Sequence, residues 1–362
     1  MYKTRVSKEQ DIYGILGLLE ETFPSWPNKE LDIASRDFWK WKYQESPKGS
    51  DIIVTESEDK IIGCHHGPRF NLLINGSLLL ASYGTDMAVS VDHRNKGISR
   101  QQVEKLREER IQNDVGYALV LASNPFNIES LAKRQPRFPY ELRNLVKISD
   151  VDMFLNYFDV KNPNLVKYGV AIFKKINTLI YPKSKLPEYK TEIISFFGEE
   201  IGAFWDKYSA NYDFIIERKR NYLNWRYCDN RAGKYFVFQV TKGNEVQGYS
   251  VTSVSRKVSE HPVGFIVDLH ALDEACARVL VHSMNDWFEK QSINLVNYLN
   301  IKGHPYEKIL FEYGFVDSRV KFNLFYKIIS GEDKIASLGD SSPSRVYFSW
   351  GDHDTLPVKI SV

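Results

Sequence analysis

The sequence predicts an α/β (α+β) chain made of two tandem copies of one unit, each a mixed central sheet flanked by helices. Three observations carry that expectation. Residues 1–150 follow the order strand, helix, antiparallel strands, helix, strand, helix. A second copy of this order is announced by Arg36-Asp37-Phe38-Trp39-Lys40-Trp41-Lys42-Tyr43, which corresponds to Arg220-Asn221-Tyr222-Leu223-Asn224-Trp225-Arg226-Tyr227. Gly49 and Gly233 then fall at the same offset, and Gly63 meets Gly248 after a one-residue slip. The third observation is the stretch from Tyr83 to Ser99, which reads as a buried strand running through a short basic loop into a helix.

Each element has a local reason. Lys3 to Val6 suits a short strand, and Ser7 and Gln10 stand in capping-box relation before the helical pattern Ile12, Ile15, Leu16, Leu19. Asp51 to Thr55 and Lys60 to His66 predict a hairpin around Glu56-Ser57-Glu58-Asp59, with a second tight turn at Asn75-Gly76. A helix from Ile98 to Gln112 leads to the apolar run Gly116 to Ala122, fit for a buried parallel strand, and a new helix starts after Ser123. In the second copy, strand Gly264 to Leu269, helix Asp273 to Lys290, strand Ile293 to Leu299 and a helix ending at Tyr313 complete the order. Between the copies, Leu165 to Tyr181 reads as an amphipathic connecting helix, suited to packing between domains or to a membrane surface. The division this predicts is 1–150 for the first domain, 151–190 for connecting helices, 191–330 for the second domain and 331–362 for a C-terminal tail.

Composition narrows the function. With 362 residues, 43% hydrophobic and 26% charged, the chain has globular composition and room for about two domains. A formal charge of +2 gives no pervasive field for nucleic acid or acidic membrane. Cys64, Cys228 and Cys276 are scattered without a C-x-x-C spacing, which argues against a disulfide or zinc framework. The charged N-terminus and the lack of a long apolar run predict a cytoplasmic protein without an integral membrane segment.

The loop Arg94-Asn95-Lys96-Gly97-Ile98-Ser99 offers amides at a helix start, where partial positive charge and unpaired N–H groups favour an anion. Its spacing resembles the R/Q-x-x-G-x-G/A pyrophosphate loop of the GCN5-related N-acetyltransferase (GNAT) family, with Ser99 in place of the usual Gly or Ala. The resemblance implies two tandem acyl-CoA N-acyltransferase folds and acetyl-CoA as co-substrate. It implies Arg94, Asn95, Lys96, Gly97, Ile98 and Ser99 at the pyrophosphate, Ala88, Val89 and Val91 along the pantetheine, and Asn124 and Asn127 at the pantetheine or adenosine. In the second copy the corresponding loop is His270-Ala271-Leu272-Asp273-Glu274-Ala275, whose carboxylates would repel a pyrophosphate, so the cofactor is expected in the first copy alone.

Amine acylation needs a base, and Asp86, a carboxylate in an apolar strand, is expected to have a raised pKa that suits this work. The alternative is a structural Asp bonded to backbone or to an arginine. Tyr83 stands where family members carry a catalytic Glu, and His66, with His65, is an alternative base through water. The family's tyrosine acid has no clear counterpart, leaving Tyr140 as a candidate. Trp41 and Trp225 recur in both copies and read as core anchors. No metal is expected, and the tail around Trp350-Gly351-Asp352-His353-Asp354 is expected to line an acceptor pocket between the copies. The resulting expectation is an acetyl-CoA-dependent N-acetyltransferase for a small-molecule primary amine, with amino sugars among the acceptors and no nucleic-acid partner. An aminoacyl-tRNA-dependent transferase and a non-catalytic coenzyme A-binding protein are the alternatives.

Overall fold

The computed structural model describes residues 2–353 except 25, 28, 29, 123, 124, 151, 154, 156–187 and 257–260. The reading of Leu165 to Tyr181 and the roles of Asn124 and Asp354 therefore lie outside the described residues. Two compact units emerge, Met1–Pro139 with Asp229–Gly233 and Asn323–Gly339, and Tyr140–Cys228 with Lys234–Phe322 and Asp340–Val362. The chain passes between these units repeatedly.

The first unit is built on β1 (Lys3–Val6), β2 (Ser50–Ser57), β3 (Lys60–Ile74), β4 (Ser77–Tyr83), β5 (Thr85–Val89) and β6 (Tyr117–Ala122). Its helices are α1 (Ile12–Thr22), α2 (Ser35–Trp39), α3 (Ile98–Gln112) and α4 (Pro125–Ala132). Asn75 and Gly76 both take positive φ, which is what a two-residue hairpin turn between β3 and β4 demands. Ser7 does not cap the first helix. The Lys8 amide instead donates to Asp11 at 2.6 Å, and Asp11 also takes a bidentate bond from Arg5, an ion pair that draws the carboxylate one turn downstream of the expected cap. Ile12, Ile15, Leu16 and Leu19 share one face of α1 and bury against Trp39, Tyr43, Ile52, Val54, Cys64 and Ala88. Each large apolar side chain so buried contributes roughly 1.5–3 kcal/mol.

Sheet order in this unit is β1-β2-β3-β4-β6, followed by residues 323–328 of the chain's last long strand, which run antiparallel to β6. The β4 and β6 strands are parallel, and their pairing stops at Tyr83 and Leu119. Past that point β5 pairs with β3, leaving its other edge turned toward the gap beside β6.

The second unit repeats the pattern with β7 (Leu142–Ile148), β8 (Tyr189–Ile194), β9 (Phe214–Ile216), β10 (Tyr235–Lys242), β11 (Glu245–Ser255), β12 (Val263–Ala271), β13 (Leu295–Ile301) and β14 (Val316–Ile328). Its helices are α5 (Ile201–Ser209), α6 (Arg220–Leu223), α7 (Glu274–Lys290) and α8 (Pro305–Glu312). The sheet runs β8-β10-β11-β12-β13-β7, with residues 316–322 of β14 beyond β7. The strand that follows the first copy in sequence is thus built into the second unit, and the end of β14 completes the first. Both repeated segments close in a π-helical turn, Lys40–Gln44 after α2 and Asn224–Cys228 after α6. Trp41 is buried, as a core anchor requires, whereas Trp225 is half-buried and rests on Tyr222.

Candidate functional site

The loop before α3 has the backbone of an anion cradle. Asn95 and Gly97 take φ of +61° and +78°, and such alternation of left- and right-handed residues turns successive N–H groups inward. Gly97 is the N-cap residue and carries no side chain to fill the helix start, and the first turn of α3 holds no carboxylate. Among the described residues the amides from Asn95 to Ser99 meet no backbone acceptor. Arg94, Lys96 and Ser99 are exposed around this start; Arg94 Nε donates to the Val89 carbonyl at 3.3 Å and Lys96 Nζ to the Asp92 carbonyl at 2.9 Å. Ile98 is buried and anchors the helix, so it offers its amide only. In the second unit the same start is closed: Asp273 caps α7 and accepts from the Cys276 amide at 2.7 Å.

The edge of β5 supplies the second part of the site. Ser90 N donates back to Ile62 on β3, so by strand alternation the Val89 N–H points away from β3, toward the gap beside β6. Ala88 faces the core instead, and Val91 is exposed in the turn that follows. A β-bulge sets Asp86 and Met87 opposite His65, and Asp86 holds φ of +43°. A non-glycine residue in that region costs on the order of 1–3 kcal/mol, and such strain concentrates where it shapes a site.

Asp86 does not have the raised pKa that its apolar strand suggests. Burial alone would raise it, but the Lys42 ammonium and the hydrogen bonds of Tyr43 and Lys42 outweigh burial and bring it below the usual carboxylate range. Its Oδ2 accepts from Trp26 Nε1 at 3.0 Å, Lys42 Nζ at 3.0 Å and the Tyr43 hydroxyl. His66 is fully buried and committed at both ring nitrogens. Nε2 accepts from the Trp39 indole at 3.0 Å, which places the proton on Nδ1, and Nδ1 donates to the Asp86 carbonyl at 3.2 Å. Protonating His66 would break the Trp39 bond, so it is a structural hydrogen bonder and not the base considered above. His65 is held neutral, because burial and the Arg110 charge push it down to about 3.

Tyr83 is buried with its ring stacked on Phe70 at 4.5 Å, at the last residue of the β4–β6 pairing. Tyr140 belongs to the second unit, where its hydroxyl donates to the Ser341 carbonyl at 2.6 Å. Asn127 lies on α4. The partners of Asp86 were missed from sequence, although a signal existed: the repeat pairs Tyr43 with Tyr227, and both tyrosines donate to an aspartate at the same step of the matching strand, Asp86 and Asp268.

In the second unit the tail is core. Val346, Tyr347, Phe348 and Trp350 are buried, and Asp352 pairs with the fully buried Arg218, which also holds Asp268 at 3.1 Å. The described tail therefore completes the second unit's interior. The strand edge matching Met87 and Val89 is already satisfied there. Leu269 N donates to the Tyr347 hydroxyl at 3.0 Å and Ala271 N to the Tyr306 hydroxyl at 2.9 Å. Both the helix start and the strand edge are thus filled by the chain's own groups in the second unit.

The first unit thus pairs an uncapped helix start with a bulged, splayed strand edge. Residues 3–127, which make up most of the first unit, match the acetyltransferase (GNAT) domain family. The whole chain shares its fold with solved acyltransferases. A probable N-acyltransferase from Enterococcus faecalis superposes with a TM-score of 0.61 at 9% identity, over 91% of this chain and 73% of that one. A GCN5-related N-acetyltransferase from Anabaena variabilis gives 0.61 at 12% identity, with the same 91% and 73%. The N-myristoyltransferase of Saccharomyces cerevisiae, solved with bound myristoyl-CoA, gives 0.60 at 10% identity over 96% of this chain and 89% of that one. No curated protein matches the sequence. No helix among the described residues is long and apolar enough to cross a membrane.

Proposed function

We propose that the protein transfers an acetyl group from coenzyme A to a small-molecule primary amine, amino sugars among the acceptors, and that the chemistry belongs to the first unit. The observation that carries this reading is the contrast between equivalent places. The α3 start has no cap of its own and the Val89 amide points off its sheet, whereas Asp273, Tyr306 and Tyr347 fill the matching positions in the second unit. The Asn95 to Ser99 amides with Arg94 and Lys96 suit a pyrophosphate, and the Val89 N–H suits the oxygen of a thioester carbonyl as negative charge develops on it. Amine nitrogen then bonds to the carbonyl carbon, the carbon–sulfur bond breaks, and the sulfur leaves as thiolate; the ammonium proton passes to water. With Asp86 and His66 committed to other groups, water is also the acid that protonates the thiolate.

An assay of thiol release across acetyl-, medium- and long-chain acyl-CoA and a panel of primary amines tests this. Acetyl-CoA with at least one amine should give product whose mass rises by one acetyl group. Tight coenzyme A binding with no turnover on any amine would instead indicate a binding protein, and preference for a long acyl chain would replace the acetyl assignment.

A further inference from the structure

We propose that Asp86 is a positioning residue: clamped at its carboxylate by Trp26, Lys42 and Tyr43 and at its carbonyl by His66, it locks the bulge that aims the Met87 and Val89 amides at the substrate carbonyl. This rests on the acyl-transfer reading of the first unit. Three donors converge on the Asp86 carboxylate from the segment between α1 and β2. On the other side of the same residue, His66 donates to the carbonyl at 3.2 Å, and the Cys64 thiol approaches it at 3.7 Å. His66 is itself fixed by Trp39 and by stacking on Tyr43 at 4.2 Å. Side chain and backbone of one residue are therefore held independently, in a left-handed conformation that is uncommon for a non-glycine residue and costs energy to hold within a strand. The second unit is an internal comparison. Asp268 keeps the tyrosine donor, Tyr227, yet it stands outside the left-handed region, and the adjacent edge amides are taken by tyrosine hydroxyls. The strained clamp occurs in the unit whose helix start is open.

The test uses the full chain with Asp86→Asn, and with His66→Gln as a second variant that leaves the carboxylate in place. Asn tolerates the left-handed region and still accepts from Trp26 and Tyr43, but leaves Lys42 without its counter-charge. Coenzyme A affinity by calorimetry should stay unchanged in both. Amine acetylation and the slow hydrolysis of acetyl-CoA without acceptor should fall together by about ten- to a hundredfold, because both use the same amides. The carbonyl stretch of bound carbon-13 acetyl-CoA, lowered in the wild type by those amides, should return toward its value in water. The pH profile of kcat should keep its shape. If acetylation falls while hydrolysis and the carbonyl stretch stay at wild-type values and the acid limb of the profile disappears, Asp86 is a base and the proposal is overturned. Lost stability with unchanged activity per folded molecule overturns it too. A wild-type protein that binds no coenzyme A would refute the acyl-transfer reading itself.

Discussion

Arg218→Met should destabilise the protein by about 3–5 kcal/mol at neutral pH, the cost of leaving buried carboxylates without their cation. Arg218 is fully buried, donates to Asp268 through Nε at 3.1 Å and Nη2 at 3.3 Å, and also reaches Asp352 and the Ile216 carbonyl. Burial already outweighs Arg218 at Asp352 and raises that carboxyl to about 6. Asp268 goes the other way, since Arg218 and His270 overcome its burial and lower it. Removing the guanidinium raises both. A carboxyl whose folded pKa lies above its unfolded value stabilises the fold below that unfolded value and loses this as pH rises through the folded one. The deficit of the variant against wild type should therefore be largest near pH 7.5 and shrink toward roughly pH 5, as urea unfolding at several pH values will show. Asp352→Asn should cost less, because Asp268 still neutralises Arg218. A deficit below about 1 kcal/mol at neutral pH would show that the cluster is not a buried charge network.

Gly97→Val should weaken coenzyme A binding at least about tenfold, equivalent to 1.4 kcal/mol or more. A Cβ at this position meets nothing within 4 Å, so the loss does not come from a clash within the protein. It comes from φ of +78°, which a β-branched residue adopts only with strain, and relaxing that strain swings the Asn95 to Ser99 amides out of convergence. Calorimetric titration with coenzyme A checks this, and unchanged affinity would remove the loop from the binding site.

Local periodicity made much of this architecture legible. The helix expected from Ile98 to Gln112 is present with those ends, because a left-handed glycine starts it and its buried face recurs at helical spacing. The loop's left-handed backbone and uncapped helix start were equally readable, since glycine, basic residues and an absent capping side chain are neighbours in sequence. Asp86 was not, because its environment comes from Trp26, Lys42 and Tyr43, which stand 60, 44 and 43 positions away, and charge pairing at that range leaves no local pattern. The tail misled for the same reason. Asp352 reads as a pocket-lining carboxylate until Arg218, 134 positions earlier, is placed beside it. The completion of each unit by strands distant in the chain likewise depends on pairing that alternation along one strand cannot specify.

The central claim is that the first unit alone holds coenzyme A, and the most direct measurement is the stoichiometry of coenzyme A binding to the full chain by calorimetry, repeated for Arg94→Glu and Asp273→Asn. One site per chain, lost in Arg94→Glu through charge repulsion and retained in Asp273→Asn, is the expected result. Two sites per chain, or a single site that survives Arg94→Glu and disappears in Asp273→Asn, would contradict it.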